Sequence, residues 1–307
     1  MIDNIRFKIL NKSLFENYVS NNSVIDLETS FNPFTGEVKD YPKKGKLDNL
    51  EVRITEQGAS VYGSLHKFEN ISFGLGNQNH NDFTFESLSY LIPYLIEKFS
   101  IQGGTSLTNL EMGFNVRLTK EPQLILDNNL LMYDLKNHNK DLKFQGKGDF
   151  KEFIKSDYSL KIYNKSKQYK LKDNILRIEL KIIKKRLLHN LGIYKLEDLL
   201  DKDILFDVFR FLWKELDKIL LIDDVDSFEI PIKDLERLNK YTNPNFWVRI
   251  RKDKSLKILR TLEKDFKMLI ARYDLGKTKT ELKDKLLLKF WYSMNNNCKE
   301  TFLEKSA

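Results

Sequence analysis

Residues 158–182 hold two runs in which apolar and polar side chains alternate, and that alternation limits the chain more than any other feature. In Tyr158-Ser-Leu-Lys-Ile-Tyr163, Leu160 and Ile162 point one way while Lys161 and Tyr163 point the other. In the second run Leu176, Ile178, Leu180 and Ile182 share a face, opposite Arg177, Glu179 and Lys181. Period-two alternation of this length specifies strands with one face in a core and one face free. The Lys-rich segment between them, 164–174, turns back as a hairpin or carries a short helix. A phenol, several lysines, an arginine and a carboxylate then gather on one side of a sheet. That inventory suits attack on a phosphodiester, and it equally suits an ordinary solvated sheet face.

The rest of the chain supplies the sheet. Ile5, Phe7 and Ile9 alternate with Arg6 and Lys8 as a first strand; residues 29–46, rich in Pro, Gly and Lys, read as a loop. Leu50, Val52 and Ile54 mark a second strand. Gln57-Gly58 turns it into a third, expected to pair antiparallel, with Tyr62, Ser64 and His66 on its polar side. A polar loop over 69–84 ends at Asp82 or Thr84 as helix cap. Phe85, Leu88, Ile92, Leu95, Ile96 and Phe99 follow at helical spacing, with Pro93 within. Leu110 to Leu118 is the most regular strand, with Glu111, Gly113, Asn115 and Arg117 opposite its apolar face. Residues 121–150 hold a short helix and a polar loop around Gly146 and Gly148. Beyond Ile182 the pattern is helical: 195–200, 204–221, a segment with the apolar stripe Leu256, Leu259, Phe266, Ile270 and Tyr273, and a last helix over 279–291. The expected fold class is α+β. An antiparallel sheet backed by helices occupies 1–200, and a mainly helical, basic DNA-binding or accessory domain occupies 201–307.

Charge narrows the partners. The 307 residues carry +8 overall, but 1–150 hold 16 Lys+Arg against 19 Asp+Glu, while 151–307 hold 36 against 25. Such asymmetry directs the second half to a polyanion, nucleic acid before membrane. Hydrophobic content of 41% with 31% charge is globular. A lone Cys298 and the lack of a signal-like N-terminus or a long apolar run fit a soluble protein of a reducing cytoplasm, away from membranes. The sequence has no P-loop, no dinucleotide glycine fingerprint (Gly74-Leu-Gly76-Asn lacks the third glycine), no G-x-S-x-G elbow and no H-E-x-x-H helix.

Strand parity places His66, Glu111, Tyr163, Arg177 and Glu179 on one open side. Glu111, Glu179 and His66 are a suitable donor set for Mg²⁺ or Mn²⁺. The ion would polarise a phosphate that the Tyr163 hydroxyl attacks, with Lys161, Lys165 or Arg177 holding the phosphate. Lys167 adds a cation beside the tyrosine. Lys257, Arg260, Lys264 and Lys267 repeat along one helix edge after Arg249, Arg251 and Lys252, with Phe246 and Trp247 adjacent, which favours nucleic-acid contact over a solvated face. His80 and His138 lie in polar loops, and His189 on a helix surface.

Four stretches carry a family resemblance: Met1-Ile-Asp-Asn-Ile with its strand; Gly63-Ser-Leu-His66-Lys-Phe with the Asn-rich loop to Phe83-Thr84; Leu110-Glu111-Met-Gly-Phe-Asn115; and Tyr158 to Gly192, with Tyr-x-Lys, a gap, Leu-Arg-x-Glu and Leu-Gly-Ile. Over roughly 1–200 the chain resembles the filamentous-phage replication initiators of the gene II and gene X type and, more distantly, plasmid rolling-circle initiators. The resemblance implies an HUH-type, metal-dependent endonuclease and strand transferase. Its tyrosine joins the 5′ end of a nicked origin and frees a 3′-OH primer, in a bacterial host whose helicase and polymerase continue replication. It puts the nucleophile on Tyr163, acidic metal positions on Glu111 and Glu179, and phosphate handling on Lys165 and Arg177. The chain departs from the typical pattern in having no His-hydrophobe-His pair. Tyr158 and Tyr169 flank Tyr163 as other tyrosines, Tyr158 on the apolar face. The alternative reading is a DNA-binding replication or copy-control protein that does not cut.

Overall fold

The computed structural model describes residues 1–22, 24–138, 140–144, 148–225 and 230–295. Its elements run β1 (Ile2–Ile9), α1 (Lys12–Asn21), β2 (Lys43–Leu47), β3 (Leu50–Thr55), β4 (Gly58–Ser64), α2 (Leu65–Ser72), α3 (Phe85–Lys98) and β5 (Thr105–Arg117). A short turn of helix, α4 (Pro122–Leu124), runs into a wider π turn, Ile125–Asn129, followed by β6 (Leu130–Tyr133), β7 (Lys140–Phe144), β8 (Gly148–Ile154) and β9 (Tyr158–Asn164). Then come α5 (Lys165–Tyr169), β10 (Ile175–Ile182), α6 (Lys185–Asn190), a 3₁₀ turn Leu196–Leu200, α7 (Lys202–Asp217) and β11 (Ile219–Leu221). The last helices are α8 (Ile232–Tyr241), α9 (Pro244–Asp253), α10 (Leu256–Arg272) and α11 (Lys277–Asn295).

Nine strands form one sheet in the order β2-β3-β4-β1-β5-β10-β9-β8-β7, every neighbouring pair antiparallel. The fold is α+β, as the alternation requires. One face packs Phe7, Val61, Leu110, Phe114, Ile162, Ile178 and Leu180 against Leu88, Ile92, Leu205, Phe209, Leu286 and Phe290 from α3, α7 and α11. The larger core thus runs past residue 200, drawing on α7 and α11. A second cluster joins Met132, Ile222, Leu238, Tyr241, Trp247, Phe266 and Leu275, uniting the β6–β11 ribbon with α8, α9 and α10. Trp247 is fully buried there and donates its indole N–H to the Tyr241 carbonyl at 2.6 Å.

Several local expectations give way to structure. The third strand stops at Ser64, whose hydroxyl accepts the Lys67 amide and starts α2. His66 therefore belongs to a helix, and the 69–84 loop begins only after Ser72. Within 29–46, Lys43–Leu47 pairs with β3, and its outer edge is covered at Lys44, which exchanges two backbone hydrogen bonds with Glu28. Residues 204–221 are a helix followed by the short β11. Leu256 is 70% exposed and stands outside the apolar stripe of α10. Gly148 opens β8 rather than lying in a loop; Gly146 falls outside the described residues. Thr84 caps α3 by accepting the Ser87 amide, and Pro93 sits inside that helix on its exposed side. Among the described residues no helix is long and apolar enough to cross a membrane.

Candidate active site

The face of the sheet away from the helices carries its chemistry in register. Arg177 of β10 pairs with Asn115 of β5 and Tyr163 of β9, and Glu179 pairs with Gly113 and Lys161. Paired residues of antiparallel strands project to the same side, so Glu111, Tyr163, Arg177 and Glu179 share a face. At the Tyr163 end this face is not open to solvent. Residues 73–84 lie over it, leaving Tyr163 7% and Arg177 2% exposed.

Around Tyr163 the polar groups form one connected network. The Tyr163 hydroxyl donates to Glu179 Oε1 at 3.0 Å and accepts from Lys165 Nζ at 3.3 Å. Lys165 sits at the start of α5, whose cap is Asn164 Oδ1 on the Lys167 amide, so the strand-to-helix switch folds the lysine back onto the tyrosine. The Arg177 guanidinium donates Nε to Glu179 at 2.6 Å, one terminal nitrogen to Asn115 Oδ1 at 3.0 Å and the other to Asp3 Oδ2 at 2.5 Å. Asp3 also accepts from Ser64 Oγ and, at 2.6 Å, from Asn79 Nδ2. Asn79 Oδ1 in turn accepts from Lys165 Nζ at 2.6 Å and the Tyr169 hydroxyl at 2.8 Å. Gly113 gives this network room: a Cβ there would lie 2.8 Å from Arg177 Nη2 and 2.9 Å from Glu179 Cγ.

Burial and neighbouring charge set the protonation states. Desolvation, with the Glu179 charge, pushes the Tyr163 phenol well above its ordinary pKa, so it is protonated until a base takes its proton. Desolvation, with Arg177 nearby, lowers Lys165 to about 6. Asp3 is lowered to about 2: burial opposes the charge, but Arg177 and the Ser64 hydrogen bond outweigh it. Arg177 is held charged by Glu179 and Asp3 despite its burial. Burial lowers His66 to about 3, leaving a neutral imidazole whose Nε2 lies 2.7 Å from Asn81 Oδ1.

The metal set His66, Glu111 and Glu179 does not fit a divalent ion in this arrangement. Glu111 is engaged by Lys181 at 2.8 Å and Asn4 at 2.5 Å, Glu179 by Arg177 and Tyr163, and His66 by Asn81. Among the described residues no three His, Cys, Asp or Glu come together as a metal-binding group. A guanidinium stands where the acidic groups converge. Burial and the Glu179 charge raise the Glu111 carboxyl, and Lys181 offsets part of that shift.

The DNA-contact residues separate into groups. Lys161 lies over the Tyr163 ring at 4.8 Å and the Phe150 ring at 4.5 Å, and Lys167 is exposed on α5. Arg249 on α9 and Lys257, Arg260, Lys264 and Lys267 on α10 are exposed. Arg251 is committed instead to the carbonyls of Asp134 and Leu135, at 2.8 and 3.0 Å. On the same sheet face as Tyr163, towards β2, a cleft of about 620 Å³ is lined by Arg6, Lys44, Lys46 and Arg53 together with Asp26, Glu28 and Glu51, with Arg6 over the Tyr62 ring. His80 packs its ring 5.0 Å from Tyr169, and His189 packs on Tyr194 at 4.7 Å. Tyr158 faces the helices and hydrogen-bonds Glu215 at 2.8 Å.

Sequence reasoning missed Asp3, Asn79 and Asn115. Asp3 left one signal in the sequence, the phase break between Ile2 and the series Ile5, Phe7 and Ile9; in the structure β1 shifts register against β5 there, and both Ile2 and Asp3 are buried. Asn115 was visible on the polar side of its strand. Nothing local marks Asn79 among the asparagines around it.

No protein-family model matches the chain, and no curated protein matches it. Among solved structures the chain is similar to the rolling circle replication initiator protein from Geobacillus stearothermophilus, at 13% identity and a TM-score of 0.42, over 75% of this chain and 88% of that one.

Proposed function

We propose that the chain is a replication initiator of the rolling-circle class that cuts and rejoins one DNA strand through Tyr163. One observation carries the reading: the Tyr163 hydroxyl is held between the Glu179 carboxylate and the Lys165 amine, with Arg177 bound to the same carboxylate. A tyrosine nucleophile needs a base for its proton and cations for the charge that builds on the phosphate, and all three stand within hydrogen-bond reach. The phenolic oxygen attacks phosphorus and its proton passes to Glu179. The bond from phosphorus to O3′ breaks, and O3′ takes that proton from Glu179. The products are a 5′-phosphotyrosine and a free 3′-OH, and the reverse order rejoins the strand. Arg177 and Lys165 offset the charge on the phosphate oxygens. No step is routed through a metal ion, because Glu111 is engaged by Lys181 and Asn4, Glu179 by Arg177 and Tyr163, and His66 by Asn81.

The exposed cations of α10 and the cleft at Arg6 and Tyr62 give the strand and its flanking duplex places to bind. The 3′-OH would serve a host polymerase, with a host helicase clearing the way. Incubation with DNA of the genetic element that encodes the chain is expected to give a protein–DNA adduct stable to denaturant, and Tyr163→Phe is expected to abolish it. An adduct that persists in that variant overturns the assignment. Salt-sensitive binding with neither nick nor adduct supports the non-cutting copy-control reading instead.

A further inference from the structure

The loop from Phe73 to Thr84 has anchors besides the Asn79 side chain. Asn115 Nδ2 donates to the carbonyls of Asn79 and His80 at 3.1 Å, Asn70 Nδ2 donates to the Gln78 carbonyl at 2.8 Å, and Lys289 of α11 pairs with Asp82. The Asn79 side chain instead enters the network below. Its oxygen takes hydrogen bonds from Lys165 and Tyr169, and its amide group donates to Asp3. An amine, which a bound phosphate would protonate, and a phenol converging on one oxygen are what a phosphodiester oxygen accepts from a protein. Two anions, Asp3 and Glu179, face that point; both are bound to Arg177, and Asp3 keeps Ser64 as a donor. The loop also has the means to lift. Gly74 and Gly76 lie at φ +72° and +82° in open space, a conformation that only glycine adopts freely, and neither is wedged against a neighbour.

We infer that residues 73–84 are a lid, and that in the closed protein the Asn79 carboxamide oxygen fills the seat of a phosphodiester oxygen bound by Lys165 and Tyr169. The inference rests on the proposed strand cleavage at Tyr163, since a tyrosine 7% exposed reaches no phosphate until the loop moves. It adds Tyr169 as a phosphate-binding residue and makes lid opening part of substrate recognition. A lid that competes with substrate lowers apparent affinity by the fraction of protein that is open.

Two measurements test it on the full chain, both in a Tyr163→Phe background so that binding is read without chemistry. The probe is a fluorescein-labelled single-stranded oligodeoxynucleotide of mixed sequence. Hydrogen exchange of the 76–82 amides is expected to speed up when the oligonucleotide binds, while the strands beneath stay protected. Removing the side chain with Asn79→Ala should tighten binding about tenfold, the scale set by losing two or three hydrogen bonds from the closed state. Tyr169→Phe should weaken it. If exchange in the loop is unchanged or slowed by DNA, or if Asn79→Ala binds no better than its parent, the lid and the seat are wrong. Should Asn79→Ala fold poorly, the exchange measurement decides alone. Formation of the covalent adduct by the protein with Tyr163 intact is scored separately. An adduct without loop opening overturns the lid alone, and loop opening without an adduct overturns the cleavage alone.

Discussion

Replacing Asp3 with asparagine keeps the shape of the side chain and removes its charge. Asp3 and Arg177 are each 2% exposed at the side chain and 2.5 Å apart. Arg177 would then face Glu179 as its remaining carboxylate partner, with its charge still buried. Breaking a buried pair from one side costs about 3–5 kcal/mol, most of it from the charge left behind. At ~2–4 °C per kcal/mol for a large domain, the melting temperature should fall by about 10 °C. Asp173→Asn is the comparison: its pair with Arg117 has side chains 72% and 53% exposed, and its loss should cost less than about 1 kcal/mol. The pH dependence carries the same signature. The folded pKa of Asp3 is lowered to about 2, so its stabilisation is full above the unfolded carboxylate value near ~4 and drains away as pH falls through about 2. Thermal unfolding followed by circular dichroism from neutral pH to pH 2 reads both effects. A loss for Asp3→Asn no larger than for Asp173→Asn, with an unchanged acid limb, would refute the buried-pair argument.

Other expectations follow from single contacts. Gly113→Ala pushes a methyl group against Arg177 and Glu179, so it should cost about 1–3 kcal/mol and depress adduct formation; wild-type stability and adduct yield would mean the guanidinium has slack. Lys165 is lowered to about 6 and so is largely neutral at pH 7.5 in the free protein; seating a phosphate beside it should draw in close to one proton. Calorimetry in buffers of different ionisation enthalpy reads that uptake, and Lys165→Met should erase it. The pair Lys257→Ala and Arg260→Ala should lower DNA affinity and reduce the salt slope by about 2 without moving the melting temperature. Arg251→Ala should do the reverse, costing about 1–2 kcal/mol of stability through its two carbonyl partners while leaving DNA binding intact.

What could be read in the sequence was what is local. Period-two alternation fixed β9, β10 and β5 and put Tyr163, Arg177 and Glu179 on one face, because parity is a property of each strand alone. Where the period changes at a single residue, as at the Ser64 cap, alternation ran on too far and carried His66 into a strand. The β2 edge was invisible because its Lys-rich sequence has little apolar pattern. The network around Tyr163 depends on contacts across long separations: Asp3 meets Arg177 174 residues away, and Asn79 meets Lys165 86 residues away. No window of sequence contains those pairs. The metal set failed for the same reason. Parity gave Glu111 and Glu179 a common face, but not the cations, Lys181 and Arg177, that occupy them.

The most direct test of the central claim locates the covalent bond. After reaction with its DNA, the protein is digested with nuclease and protease, and the peptides spanning 158–172 are sequenced by mass spectrometry. A nucleotide linked through a 5′ phosphate to the Tyr163 oxygen is the result expected. Nucleotide on Tyr169 or Tyr158, or on none of the three, would contradict the account.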